Sequence, residues 1–136
     1  MPMLGYDLGD LVAAMAGGTI ASVQPSEGTG PGAALGVVVA SRGYPERPEK
    51  GATVVAAPRL PVEGSMVFHA STSIAADGVV RVGGGRCFTA VGVGSDLADA
   101  ARRAYAAAET VRFDGAWHRN DIGRKFIESP APGACS

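Results

Sequence analysis

With 136 residues, 12 basic and 13 acidic side chains and a net charge of −1, the chain is long enough for one core without disulfide staples. It carries no basic footprint for nucleic acid or anionic lipid. Hydrophobic residues make up 46% but aromatic ones only 6%, which predicts thin core layers in which an Ala-rich helix lies close on a sheet.

The longest apolar run, Ala33 to Ala40, is broken by Gly36 and is far shorter than a membrane span. Asp7 and Asp10, with no basic residue before Leu11, do not make the charged front of a secretory signal, so a cytoplasmic protein is expected. Cys87 falls in a predicted strand and Cys135 in a tail of Pro, Ala and Gly, so neither a disulfide framework nor a metal spacing can be built from them. Cys87 reads as a small core residue.

Leu8, Leu11, Val12 and Met15 follow one face of a helix that Gly17-Gly18 ends as a left-handed cap would. This helix starts within a few residues of Met1 with weak capping before it, as a continuation from something upstream would. Ser22 to Gly32 has no periodicity and reads as strand fragments joined by a solvent loop. Ala34 to Ala40 is continuously apolar, which predicts a strand covered on both sides. It breaks into Ser41-Arg42-Gly43-Tyr44-Pro45-Glu46-Arg47-Pro48-Glu49-Lys50-Gly51, a stiffened surface loop in which Pro45 pushes Tyr44 out of the helical region.

Ala52 to Ala57 and Met66 to Ala70 read as further strands, and the runs flanking Asp77-Gly78 as a hairpin with a two-residue turn. After Gly83-Gly84-Gly85-Arg86 comes a strand from Cys87 to Val93. Ser95 offers an N-cap to a helix from Asp96 to about Val111, with Leu97, Ala101, Ala104, Tyr105 and Ala108 as its apolar stripe and Arg102 and Arg103 on the solvated side. Beyond Glu128 a disordered tail is expected. Strands in the middle and a long helix after them give an α+β class: a small, mainly antiparallel sheet or half-barrel with a packed helix.

No phosphate loop, nucleophile elbow, paired histidines at metal spacing or Cys-His constellation is present, so neither a catalytic residue nor a metal ligand is assigned. Gly83-Gly84-Gly85-Arg86 fits two descriptions: an anion nest with a guanidinium that grips a phosphomonoester, or a bulge beside a surface charge. His69, on the same side of its strand as Ser71, is either a ligand contact or a structural histidine bonded to backbone. Lys50 is either an anion contact or the partner of Glu46 or Glu49 in a surface ion pair.

Ala40-Ser41-Arg42-Gly43-Tyr44-Pro45, Lys50-Gly51, Phe68-His69-Ala70-Ser71-Thr72, Gly84-Gly85-Arg86, the helix from Ser95-Asp96-Leu97 to Tyr105, and Arg119-Asn120-Asp121-Ile122-Gly123 resemble, in this order, the carboxy-terminal domain of phosphoribosylamine–glycine ligase (glycinamide ribonucleotide synthetase). The resemblance runs from about Leu4 to Phe126. It implies the barrel-sandwich, or rudiment single hybrid, fold of ATP-grasp ligase carboxy-terminal domains. Residues 1–18 would then be the last helix of the ATP-grasp core, 19–127 the carboxy-terminal domain and 128–136 the tail. In that family the full enzyme joins glycine to 5-phosphoribosylamine with ATP and magnesium in de novo purine synthesis. Its nucleotide- and metal-binding parts lie upstream of the matched stretch.

The resemblance places the ribose 5′-phosphate of phosphoribosylamine or glycinamide ribonucleotide on Arg86, with Gly84 and Gly85 shaping its approach and His69, Ser71 and Lys50 around the same pocket. This chain would close the pocket and be inactive alone, its partners being the missing domains in cis or on a separate chain. The alternative is a stand-alone metabolite- or protein-binding module detached from a ligase. The chain departs from the family pattern at four places: Ser71 stands for Gly, Gly83 for Asn, His118 for Tyr and Cys87-Phe88 for Val-Leu.

Overall fold

The computed structural model describes residues 3–25, 32–55 and 63–128. Its elements are α1 (Leu8–Gly17), a 3-10 turn (Ile20–Ser22), β1 (Ala33–Ala40), β2 (Ser65–His69), β3 (Thr72–Ile74), β4 (Val80–Val82), β5 (Arg86–Gly94), α2 (Leu97–Thr110) and α3 (Arg124–Glu128). The class is α+β, as the sequence predicts. An antiparallel three-stranded sheet of order β1-β5-β2 carries α2 on one face, and β3-β4 form a separate hairpin.

β5 is the central strand, and its alternation decides the packing. Phe88 and Ala90 turn a buried face toward the core, paired in register with β1 so that Leu35, Val37 and Val39 share that face. Ala100, Ala101, Ala104, Ala107 and Ala108 of α2 complete it. Small side chains are required here because the helix backbone lies almost on the strand. A Cβ at Gly92 would stand 2.1 Å from the Ala100 carbonyl oxygen and 2.3 Å from the Ala104 nitrogen. Enlarging such a layer forces backbone shifts that cost about 1–3 kcal/mol.

Several expectations are corrected. β1 is covered on one face only: Gly36 and Val38 are exposed on the other, Val38 at 39%. A continuous apolar run cannot tell one-sided from two-sided burial when its outward positions are themselves Gly and Val. The outward face forms the floor of a mostly apolar hollow of about 140 Å³, which Tyr44, Trp117 and Ile122 also line.

The cap of α2 is Asp96, not Ser95. Asp96 has extended backbone and its carboxylate accepts from the Asp99 amide at 2.8 Å, one residue later than the hydroxyl could. Arg103 is only partly solvated, its side chain being 27% exposed. It donates to Asp99 at 3.0 Å and to the Glu63 carbonyl at 2.8 Å, tying the first turns of α2 to the approach of β2, while Arg102 is exposed and also pairs with Asp99.

The strand expected over Ala52 to Ala57 is reduced to a bridge between Thr53 and Arg81, residues 56 and 57 lying outside the described ones. Its amides are divided between two neighbours: Val54 donates to Val80 and Val55 to Arg112, so no continuous ladder forms. The hairpin turn has three residues rather than two. Ala75 donates to Val79 at 2.9 Å around Ala76, Asp77 and Gly78, and Gly78 takes φ 77°.

α1 is better capped than its sequence suggests, since the Asp7 carboxylate accepts from the Asp10 amide at 3.0 Å, and Gly18 ends it at φ 69° as anticipated. None of its residues is buried, Val12 being 57% and Met15 66% exposed. From Ser22 the strand fragments expected are absent up to residue 25, and the rest of that loop falls outside the described residues, as do Cys135 and the tail beyond Glu128. The short α3 was not anticipated. Among the described residues no helix is long and apolar enough to cross a membrane.

Candidate functional site

The loop that follows β1 and the glycine turn that precedes β5 meet at Ser41. Its side chain is 1% exposed. A hydroxyl buried so completely must be bonded, and the Oγ of Ser41 accepts from the Gly85 amide at 2.9 Å. The Ser41 amide donates back to the Gly85 carbonyl at 2.9 Å. Its carbonyl accepts from the Trp117 indole at 3.0 Å and from the Tyr44 amide at 3.2 Å. One residue thus joins the strand end, the loop, the glycine turn and the segment after α2.

Residues 42–51 wrap the turn. A Cβ at Gly84 would stand 2.8 Å from Lys50 Cγ and 2.9 Å from the Glu49 carbonyl, and one at Gly85 would touch the Tyr44 ring at 3.7 Å. Gly84 and Gly85 also hold φ of 90° and 76°, a backbone that side chains resist. Gly51 closes the loop by donating to Val82 at 2.7 Å, and the Tyr44-Pro45 peptide is cis.

Of the two descriptions of the glycine run, the nest of three free amides is not the one formed. Gly83 donates to the Ser71 carbonyl at 2.8 Å and Gly85 to Ser41, so two of the three glycine amides are consumed inside the chain. An anion at this turn therefore depends on side chains. Arg86 is exposed, and among the described residues neither its guanidinium nor the Lys50 ammonium has a carboxylate partner. Glu49 is taken by Arg42 at 3.6 Å, and Arg42 also holds Asp114 at 3.1 Å, so Lys50 is not in the ion pair considered for it.

Arg86 is turned outward by a β-bulge. β1 and β5 pair Val39 with Phe88 but Ala40 with Arg86, leaving Cys87 as the extra residue. Cys87 and Phe88 are consequently buried side by side, and the Cys87 thiol donates to the Gly85 carbonyl at 3.4 Å. Burial holds its pKa above the ordinary thiol value.

His69 and Ser71 sit on the other flank of the turn. His69 Nδ1 is 3.0 Å from Thr72 Oγ1, and the ring meets Phe88 edge-on with centroids 4.8 Å apart. It lines a groove of about 420 Å³ with Thr72, Ser73, Ile74 and Val80, which Arg86 does not line. Ser71 donates its amide to the Arg86 carbonyl at 3.1 Å. The sequence candidates therefore fall into two neighbouring sets: Lys50, Gly84, Gly85 and Arg86 at the turn, and His69 at the hairpin groove, with Ser71 between them. His118 packs on Tyr105 with ring centroids 5.8 Å apart.

Sequence reasoning missed Ser41 and Trp117 as the fasteners of this region. The available signal was a lone hydroxyl where an apolar strand gives way to a Gly-Tyr-Pro loop, and the only tryptophan of the chain. Among the described residues no three His, Cys, Asp or Glu side chains converge as metal ligands.

Residues 34–125 match the family described as phosphoribosylglycinamide synthetase, C domain. The chain is 40% identical over 127 residues to the phosphoribosylamine–glycine ligase of Neisseria meningitidis serogroup A (strain Z2491), covering 93% of this chain and 29% of that protein. It is 43% identical over 96 residues to the ligase of Salmonella typhimurium (strain LT2), covering 71% of this chain and 22% of the relative. The crystal structure of phosphoribosylamine–glycine ligase from Thermotoga maritima superposes with a TM-score of 0.61 at 38% identity, over 82% of this chain and 27% of that one. The chain thus spans about a quarter of the length of the relatives it matches. The glycine turn, the loop around it and the β1-β5-α2 layer, apart from the first residue of β1, lie within the matched residues, and the chain belongs to the phosphoribosylglycinamide synthetase carboxy-terminal domain family.

Proposed function

We propose that this chain supplies the closing wall of the phosphoribosylamine pocket in an ATP-dependent glycine ligase, and that Arg86 grips the ribose 5′-phosphate there. The observation that carries the reading is an exposed guanidinium without a carboxylate partner among the described residues, next to a turn whose glycines bring no side chains of their own. Guanidinium and phosphate form two parallel charge-assisted hydrogen bonds, which fixes orientation as well as supplying energy. Lys50, its stem against Gly84, adds a second positive charge without a fixed geometry. Ser71 and His69 would face the ribose side, His69 steadied by Thr72 and Phe88.

The rest of the ligase would provide ATP and magnesium sites and activate the glycine carboxylate as an acyl phosphate. No step of that chemistry is assigned to residues of this chain. Its contribution is positional: holding the phosphate end fixes the amine of phosphoribosylamine relative to the activated acyl group, the kind of orientation that lowers a bimolecular barrier.

The test combines this chain with the amino-terminal and nucleotide-binding portion of the Neisseria relative and measures glycinamide ribonucleotide formation. Arg86→Ala is expected to raise the KM for phosphoribosylamine by about tenfold or more, as loss of a charge-assisted pair would. An unchanged KM would sink the assignment. ATP-dependent product formation by the 136-residue chain alone would overturn the division of labour.

A further inference from the structure

We infer that Ser41 is a positioning residue for Arg86, acting through the bulge at Cys87; this rests on the phosphate reading of Arg86. On β5 the residues facing the core are Phe88, Ala90, Gly92 and Gly94. Strict alternation would send Arg86 to that same buried face, where an unpaired guanidinium cannot stay. The extra residue at Cys87 breaks the alternation, so that Cys87 is fully buried and Arg86 is exposed.

The bulge needs a fastener on its β1 side, because Cys87 has no β1 partner and is held only from the other flank, where its carbonyl accepts from the Ala70 amide at 2.9 Å. Ser41 supplies it from the facing strand, holding both polar atoms of the Gly85 backbone at 2.9 Å, one with its amide and one with its side-chain oxygen. The Ser41 carbonyl is fixed in turn by the Trp117 indole at 3.0 Å. Ser41 is buried at 1% exposure and cannot itself meet a ligand from solvent. Its effect on phosphate is transmitted only by where the Gly85-Arg86 backbone stands.

The experiment titrates the 136-residue chain with ribose 5-phosphate and follows the Gly85 amide and the Arg86 Nε–H by nuclear magnetic resonance, in wild type, Arg86→Ala, Ser41→Ala and Ser41→Cys. Ser41→Ala is expected to raise exchange of the Gly85 amide at least tenfold and to weaken binding at least fivefold, with resonances of α2 unmoved. A simple loss of folded protein would lower signal everywhere and leave the affinity of the remainder unchanged. Ser41→Cys, of nearly the same size and with a weaker acceptor, is expected to fall between serine and alanine, and serves if the alanine variant does not fold. Wild-type affinity in both Ser41 variants, with Arg86→Ala weakened, overturns the positioning role alone. Unchanged binding in Arg86→Ala, or none in wild type, overturns the phosphate reading, while the exchange of the Gly85 amide still decides whether Ser41 holds the turn.

Discussion

The side-chain oxygen of Ser71 stands 2.6 Å from where a Cβ on Gly83 would be. The two positions share one space, and only one of them can carry a side chain beyond hydrogen there without a rearrangement. Gly83→Ala alone is expected to lower stability by about 1 kcal/mol, because the Ser71 hydroxyl must rotate away. Adding Ser71→Gly should relieve the conflict, leaving a double variant more stable than the two single losses sum to. Urea midpoints of the four proteins check the coupling.

Acid sensitivity is built into the first turns of α2. The Asp99 carboxyl is held below its ordinary value of 3.8 first by the hydrogen bond from Arg103 and then by that from Arg102. A carboxylate with a lower pKa folded than unfolded stabilises the fold above its unfolded value, and that contribution disappears as pH falls through the folded one. Asp77, bonded to the Val79 amide and Arg81, and Asp121, bonded to Arg119, act with the same sign. Asp99→Asn is expected to be less stable than wild type near neutrality and to lose less on acidification below about pH 4. Thermal midpoints across that window test it, and parallel curves would contradict it.

Cys87 is fully buried, and that burial pushes its thiol pKa above the ordinary value, which disfavours the thiolate. Since the thiolate is the reactive species, alkylation at Cys87 should follow global unfolding rather than local fluctuation. Peptide mass spectrometry after timed exposure to iodoacetamide, with and without urea, reads this site directly. Modification in native buffer at the rate of a free thiol would refute it.

α1 presents Leu8, Val12 and Met15 to solvent on one stripe. Such a surface associates when nothing covers it. Val12→Glu with Met15→Glu is expected to shift the isolated chain toward monomer in sedimentation velocity, leaving the unfolding midpoint of the sheet and α2 within about 0.5 kcal/mol. A wild-type chain already monomeric at high concentration would remove the premise.

Much of the fold was legible because period and burial agree. The apolar stripe of α2 points to one surface, and the structure buries its Ala101, Ala104 and Ala108 with Leu35, Val37 and Val39 of β1. What stayed hidden depends on the third dimension. Ala52 to Val55 has strand-like residues, but its amides serve two different neighbours. Arg103 reads as solvated by its position on the helix, and only the Glu63 carbonyl arriving from another segment covers it. At the site, the resemblance put Lys50, Gly84, Gly85, Arg86, His69 and Ser71 around one pocket, whereas the structure sets the first four at the turn and His69 at the hairpin groove. Ser41 escaped, because a hydroxyl's importance lies in the amide it meets 44 residues later.

The near contact of Gly92 and Gly94 with α2 constrains which sequences can encode this domain. A Cβ at Gly92 would collide with helix backbone at 2.1 Å and one at Gly94 with the Ala100 nitrogen at 2.7 Å, and backbone cannot step aside as a side-chain tip can. A library randomised at 91 through 94 and sorted for folded protein should return many residue types at the two valines but glycine almost alone at 92 and 94. Substitution in this strand is thereby channelled: its outer face is free to adapt to whatever adjoins it, while its inner face is fixed by the distance to a single helix.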